Sequence, residues 1–192
     1  MFIAVAILLG LAGARLLGAR LSRLADLELR GTWLVFLGFA VQLAIFTPLS
    51  PSLPEAVQVS LHLATYLLLL VFLVLNIRLP RLWIPAAGFA SNILVIFANG
   101  GRMPVPPDAW TASGSDPSTG QAVAYNNVVA ADAHTRLPWL GDIIALPDGM
   151  PLANALSIGD ILLIVGMTTF VHRACRPTLH TTPPKPHTQA LQ

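Results

Sequence analysis

Apolar residues run along this chain in five blocks: Phe2 to Leu17, Thr32 to Thr47, Val57 to Leu75, Leu82 to Ala98, and from about Leu152 or Ile158 to Val171. Each approaches the roughly 20 residues, at the low end about 17, that a helix needs to cross the hydrocarbon core of a bilayer. The shorter blocks imply movable ends or local bilayer thinning. One such block suits a buried helix of a soluble protein, whereas five in series leave almost no polar sequence to clothe such a core. The pattern predicts an all-α integral membrane protein with about five transmembrane helices and a long extracytoplasmic loop, with room in the loop for short interfacial helices. It divides the chain into a four-helix transmembrane region (1–98), the loop (99–156), a fifth transmembrane helix (157–172) and a disordered cytoplasmic tail (173–192).

Composition agrees. The 192 residues are 55% hydrophobic and only 10% charged, with a mean hydropathy of +0.69, where soluble domains carry about a quarter charged residues. The +2 net charge and the calculated pI near 9.2 do not imply a nucleic-acid partner, because the basic residues flank apolar blocks instead of gathering on one soluble face. The partner implied is the lipid bilayer. A single cysteine, Cys175, excludes an intrachain disulfide. It stands where a lipidated cysteine could stand, yet no second lipid signal accompanies it, so a plain thiol is expected.

Charge gives the orientation. Arg15, Arg20, Arg23, Arg30, Arg78, Arg81, Arg173, Arg176 and Lys185 fall on one side of the five blocks and only Arg102 and Arg136 on the other. Basic residues near span ends stay in the cytoplasm, which puts the N-terminus outside and the C-terminus inside a cytoplasmic membrane. Trp33 and Trp83 open blocks at the inner surface, where an indole suits the interface. The first block lacks a basic residue ahead of it, so it reads as a span and not as a cleaved signal peptide.

The outward loop carries Asp108, Asp116, Asp132, Asp142 and Asp148 and is too long for a passive connector. Its Asp108–Gly120 stretch holds turn formers and no apolar period and reads as the mobile part. The stretch from Leu137 to Leu146 is apolar enough to lie in the interface as a short turn or helix. The whole loop is expected to fold back over the helix ends as a lid. The tail from Arg173 onward is proline-rich and polar and reads as disordered.

Polar side chains within the spans are the natural place to look for chemistry, because each is costly in lipid unless paired. Gln42, His62 and Asn92 lie five or six residues from the outer ends of their blocks, and Asp160 enters the last block at similar depth. They define one polar layer beneath the loop, either interhelical glue or a pocket. The catalytic residues are unknown, with His62 and Asp160 as candidates for acid or base; in contact they would form an acid-base or proton-relay pair. Gln42, Asn92, Asn99, Arg102 and Asp142 are candidate ligand-binding residues. Ser157 and Asp160 also fit a capping box at the start of a helix, and Asn99-Gly100-Gly101 fits a helix exit turn. Asp132 and His134 match no established zinc or calcium spacing, so no metal is expected, nor any cofactor. Gly10, Ala14 and Gly18 form a small-residue stripe that permits close packing within the bundle or a homodimer.

The motifs Asn99-Gly-Gly-Arg-Met-Pro-Val, Leu140-Gly-Asp and Ser157-Ile-Gly-Asp-Ile-Leu, following four spans, resemble a family of small bacterial membrane proteins catalogued as a domain of unknown function. The resemblance implies a bacterial inner-membrane location and carries no activity. The function expected is a binding or accessory component, with an unidentified membrane partner. The alternative is a membrane enzyme acting on a lipid-linked or small amphiphilic substrate at the outer face. Convergence of His62, Asn92 and Asp160 on one cavity separates the two.

Overall fold

The computed structural model describes residues 2–18, 20–46, 53–112, 128–146 and 155–175. Among them are α1 (Phe2–Leu16), α2 (Thr32–Phe46), α3 (Glu55–Leu75), α4 (Trp83–Ala98), β1 (Met103–Val105), α5 (Pro107–Ala112), β2 (Val128–Ala130), β3 (Ile144–Ala145), β4 (Ala155–Leu156) and α6 (Ile158–Ala174). Two 3-10 turns, Leu21–Asp26 and Pro138–Leu140, stand between them. The fold is mostly helical. α3, with 21 residues, is the one described helix long and apolar enough to cross a membrane by itself.

The long helices pack in the order α2, α3, α4, α6, α1, which is not their order in sequence. α6 lies between α4 and α1, with extensive contact to both, while α2 rests on α3 and α3 leans more lightly on α4. Glycine sets the two tight seams. A Cβ on Gly88 of α4 would lie 2.5 Å from the Gly159 carbonyl oxygen of α6, and one on Gly166 would lie 2.5 Å from the Pro85 nitrogen. On the other flank a Cβ at Gly10 of α1 would stand 2.7 Å from Met167 Cβ. Gly10 and Ala14 are thus buried inside this bundle. Gly18 lies past the end of α1 at φ +83° with open space around it, so the three do not form one stripe. The core between these helices is built from Ala14, Leu73, Leu82, Phe89, Leu163, Phe170 and Val171.

The region between α4 and α6 departs from the all-α expectation. β1 runs parallel to β2, with Met103 opposite Val128, and β3 pairs antiparallel with β4, with Ile144 opposite Leu156. A parallel pair needs a long crossover, which the segment between Val105 and Val128 supplies. Its first part is not the turn-rich stretch expected from Asp108. Pro107 pre-sets the first helical φ and Asp108 favours the positive end of the helix dipole. α5 forms there and buries Ala109 and Trp110 against Val105 and Ala155. The rest of that stretch, 113–120, falls outside the described residues, as do 147–154 and the tail from 176. α6 continues to Ala174, past the boundary expected at 172. Cys175 follows it, buried in the core cluster beside Ala14 and Phe170, a position closed to a lipid chain.

Two asparagines tie helix ends to distant backbone in the same way. Asn76, at the C-terminus of α3, accepts from Arg30 N at 2.9 Å through Oδ1 and donates through Nδ2 to Arg30 O and Phe72 O, both at 2.8 Å. Asn99, at the C-terminus of α4, accepts from Arg136 N at 2.9 Å and donates to Arg136 O and Val95 O, both at 2.8 Å. Each amide imitates a strand neighbour for one residue. One clasp fixes the connection entering α2, and the other fixes the loop region after α4. Asn76→Ala is expected to cost about 1–2 kcal/mol, the scale of a few lost hydrogen bonds with partial rescue by water. A denaturant titration of the purified protein measures it, and an unchanged midpoint would rule out the clasp as a stabilising device.

Candidate functional site

The polar residues expected in one layer form two clusters in separate interfaces. In the first, Gln42 reaches from α2 to α3, where Nε2 donates to Thr65 Oγ1 at 2.6 Å and meets His62 Nδ1 at 3.1 Å. Nδ1 then accepts, which places the imidazole proton on Nε2. Thr65 donates in turn to the His62 carbonyl at 2.7 Å. Thr65 stands three residues after His62, on the same helical face, and that spacing was the available signal for its part in the cluster.

The second cluster joins α4 to the start of α6. Ser157 is the N-cap: its hydroxyl accepts from Asp160 N at 3.0 Å, while Asp160 Oδ2 accepts from Ser157 N at 2.9 Å, completing the capping box. The same carboxylate accepts from Asn92 Nδ2 through Oδ1 at 2.9 Å. Ser157 Oγ also lies 2.8 Å from Asp160 Oδ2 and 2.9 Å from Asn92 Oδ1, and its single proton serves one of them at a time. All three side chains are buried. Gly159 makes room for the network, since a Cβ there would stand 1.9 Å from Asn92 Oδ1.

Tyr66 sits between the clusters. Its ring meets His62 edge-on, with centroids 4.8 Å apart, and lies 5.8 Å from Phe89 of α4. His62 therefore hydrogen-bonds toward α2 and Asp160 toward α4, with an aromatic ring between. The two candidate catalytic residues thus each take part in an interhelical network, His62 between α2 and α3 and Asp160 between α4 and α6.

The exit motif after α4 is used as scaffold. Gly100 and Gly101 take φ +69° and +88°, the left-handed conformation that ends a helix. Gly101 also lets Val59 approach, since a Cβ would lie 2.6 Å from its Cγ1. Arg102, a candidate ligand-binding residue, forms a salt bridge to Glu55 at the start of α3. The Pro104 carbonyl accepts from Asp142 N at 2.9 Å and brings the Leu140-Gly141-Asp142 turn down onto the bundle. Asp132 closes a turn, with Oδ1 accepting from His134 N at 2.8 Å, and that backbone bond holds its carboxyl below its usual range. Among the described residues no three metal-capable side chains gather.

Among the described carboxyls outside the long helices, Asp142 is the one shifted upward. Burial, and next the charge of Asp160, push its pKa up to about 8. A folded carboxyl that holds its proton more tightly than the unfolded one takes up a proton on folding between pH 3.8 and about 8, so stability falls as pH rises through that interval. The wild type is expected to melt at a lower temperature at pH 8 than at pH 5. Asp142→Asn, neutral throughout, should remove most of that difference. Parallel curves for the two proteins would assign the pH dependence elsewhere.

Both clusters, both clasps and the loop region between α4 and α6 fall within residues 26–172, the stretch matched by one family model. The chain belongs to DUF5317, a family of unknown function. The DUF5317 match begins in the turn before α2 and ends two residues short of the end of α6, leaving α1 outside. No curated protein and no solved structure matches the chain.

Proposed function

We propose that this DUF5317 protein is an integral component of a bacterial cytoplasmic membrane. In this reading α1, α2, α3, α4 and α6 all span, the N-terminus lies outside and the C-terminus inside, and the outer loop region caps the bundle. It acts as a binding or accessory component and not as a catalyst. The observation that carries the reading is the distribution of side chains. Large apolar residues stand exposed on the outer faces of all five helices, Leu8 and Leu9, Phe36 and Phe39, Leu67 and Val71, Leu94 and Phe97, Ile161 and Val165 among them. His62, Thr65, Asn92, Ser157 and Asp160 are buried among the helices and hydrogen-bonded within their clusters. Water favours the reverse, and hydrocarbon favours this arrangement. The shorter helices, 15 to 17 residues long, span about 22–26 Å at ~1.5 Å per residue and fit a locally thinned bilayer. The accessory role is supported by the engagement of His62 and Asp160 in hydrogen bonds between different pairs of helices.

Single-cysteine labelling tests the topology. On a Cys175→Ala background, His134→Cys in the outer loop should react with a membrane-impermeant maleimide in intact cells. Arg78→Cys, between α3 and α4, should react only after permeabilisation. Equal labelling of both, or recovery of the protein without membranes, overturns the reading. A thermal-shift screen of detergent-purified protein against bacterial lipids, quinones and metal ions tests the role. A compound that stabilises the wild type but neither His62→Ala nor Asp160→Asn places a ligand in the polar clusters.

A further inference from the structure

The Pro138–Leu140 turn presents its largest side chain outward. Leu137 and Leu140 pack inward against Val95, Ile96 and Met103 at the end of α4, while Trp139 is 60% exposed and Ile143, just beyond, is 40% exposed. The turn is firmly built. Leu137 is held at φ +53°, uncommon for a residue with a branched side chain. The Asn99 clasp fixes Arg136 before it, Asp142 N binds the Pro104 carbonyl after it, and a Cβ at Gly141 would stand 2.5 Å from that same oxygen. A rigid turn that holds an indole outward is costly in water and favourable where one face is apolar and the other wet.

Position along the bundle identifies that environment. Trp83 opens α4 and is 62% exposed, and Trp33, near the start of α2, is 63% exposed. The Trp139 turn packs at the other end of α4, whose 16 residues rise about 24 Å at ~1.5 Å each. With the turn itself beyond the last helical residue, the separation approaches the ~27–30 Å of a hydrocarbon core. Exposed Leu94 and Phe97 carry the apolar surface of α4 to its outer end. Arg136, also exposed, stands three residues before Trp139.

We propose that the 138–143 turn is a lipid anchor, seating Trp139 and Ile143 at the outer boundary between headgroups and acyl chains, one core thickness from Trp33 and Trp83. It rests on the membrane reading above. The anchor fixes the loop region to the bilayer as well as to the helices, so the cap and the bundle hold one depth.

The chain's four tryptophans provide the test. The full chain, carrying Trp139, Trp83 or Trp110 alone with the others changed to Phe, is reconstituted in phosphatidylcholine vesicles brominated near the headgroup or deep in the acyl chain. Trp110, 7% exposed in the core of the loop region, is the internal reference. Trp139 and Trp83 should both lose more emission to the shallow bromines than to the deep ones, and Trp110 should lose little to either. Quenching of Trp83 with Trp139 behaving like Trp110 overturns the anchor and leaves the membrane reading standing. No quenching of Trp83 or Trp139 removes the membrane reading and the anchor with it. If a multiple variant fails to fold, Trp139→Phe alone reads the same quantity: the shallow-quenched share of wild-type emission must fall, and an unchanged share overturns the anchor.

Discussion

Asp160→Ala is expected to destabilise the fold by about 3–5 kcal/mol, because three buried donors lose their acceptor at about 1–3 kcal/mol each, with partial relief on relaxation. Those donors are the Ser157 backbone N–H, the Ser157 hydroxyl and the Asn92 amide. The helix start loses half of its capping box as well. Asp160→Asn separates geometry from charge. Its new amide nitrogen can face Asn92 if the Asn92 side chain flips, exchanging donor and acceptor, so a loss of only about 1 kcal/mol is expected. The Asn92→Leu and Asp160→Ala double variant should cost less than the two single losses added together, since it removes both ends of one bond. Unfolding of the purified protein in mixed detergent measures all four proteins. An Asp160→Ala protein as stable as wild type would show that the network adds nothing to the fold and that its carboxylate was held at a cost.

The second large effect is at Gly88, where alanine should lower stability by about 2–3 kcal/mol, the upper part of the range for overpacked cores. The added methyl would stand 2.5 Å from the Gly159 oxygen, 2.8 Å from Leu162 Cβ and 2.9 Å from the Leu163 nitrogen. Two of these are backbone atoms of α6, so no rotamer change can yield space. The helices must separate, and the Asn92 to Asp160 bond lengthens with them. Gly100→Ala is the control. Its methyl meets nothing within 4 Å, and only the left-handed φ of +69° opposes it, a penalty of about 1 kcal/mol. Equal losses at the two glycines would mean that the α4 to α6 contact is looser than its geometry.

Much of this architecture was legible in the residues. Periodicity places every long helix to within a few residues, because continuous apolar runs bounded by Gly, Pro and Arg leave little else for the backbone to do. The capping box was readable because its chemistry is local, spanning Ser157 to Asp160. Partner choice was not. Depth along the axis groups Gln42, His62, Asn92 and Asp160 together, but depth is blind to rotation about the axis and to which helices are neighbours. The packing order α2, α3, α4, α6, α1 then splits the layer in two. Arg102 read as a free cation because Glu55 is 47 residues away. Asn76 gives no signal in the sequence because its partner is backbone, which every residue offers equally. The short strands of the loop region were hidden for the same reason: two or three residues carry no period, and their pairing depends on a crossover.

The central position of α6 sets a timetable for biosynthesis. The helix synthesised last among those described is the one against which α4 and α1 both pack. Until it arrives, Gly88 and Gly10 face nothing, and Asn92 has no carboxylate to bind. At the 5–20 residues per second of translation, the stretch from Ala98 to Ala174 takes about 4–15 s to make. Throughout that wait the early helices form an open half-bundle. Assembly must therefore finish after synthesis has passed α6, and a nascent chain halted before Ser157 presents two bare glycine seams to whichever chaperone or protease meets it.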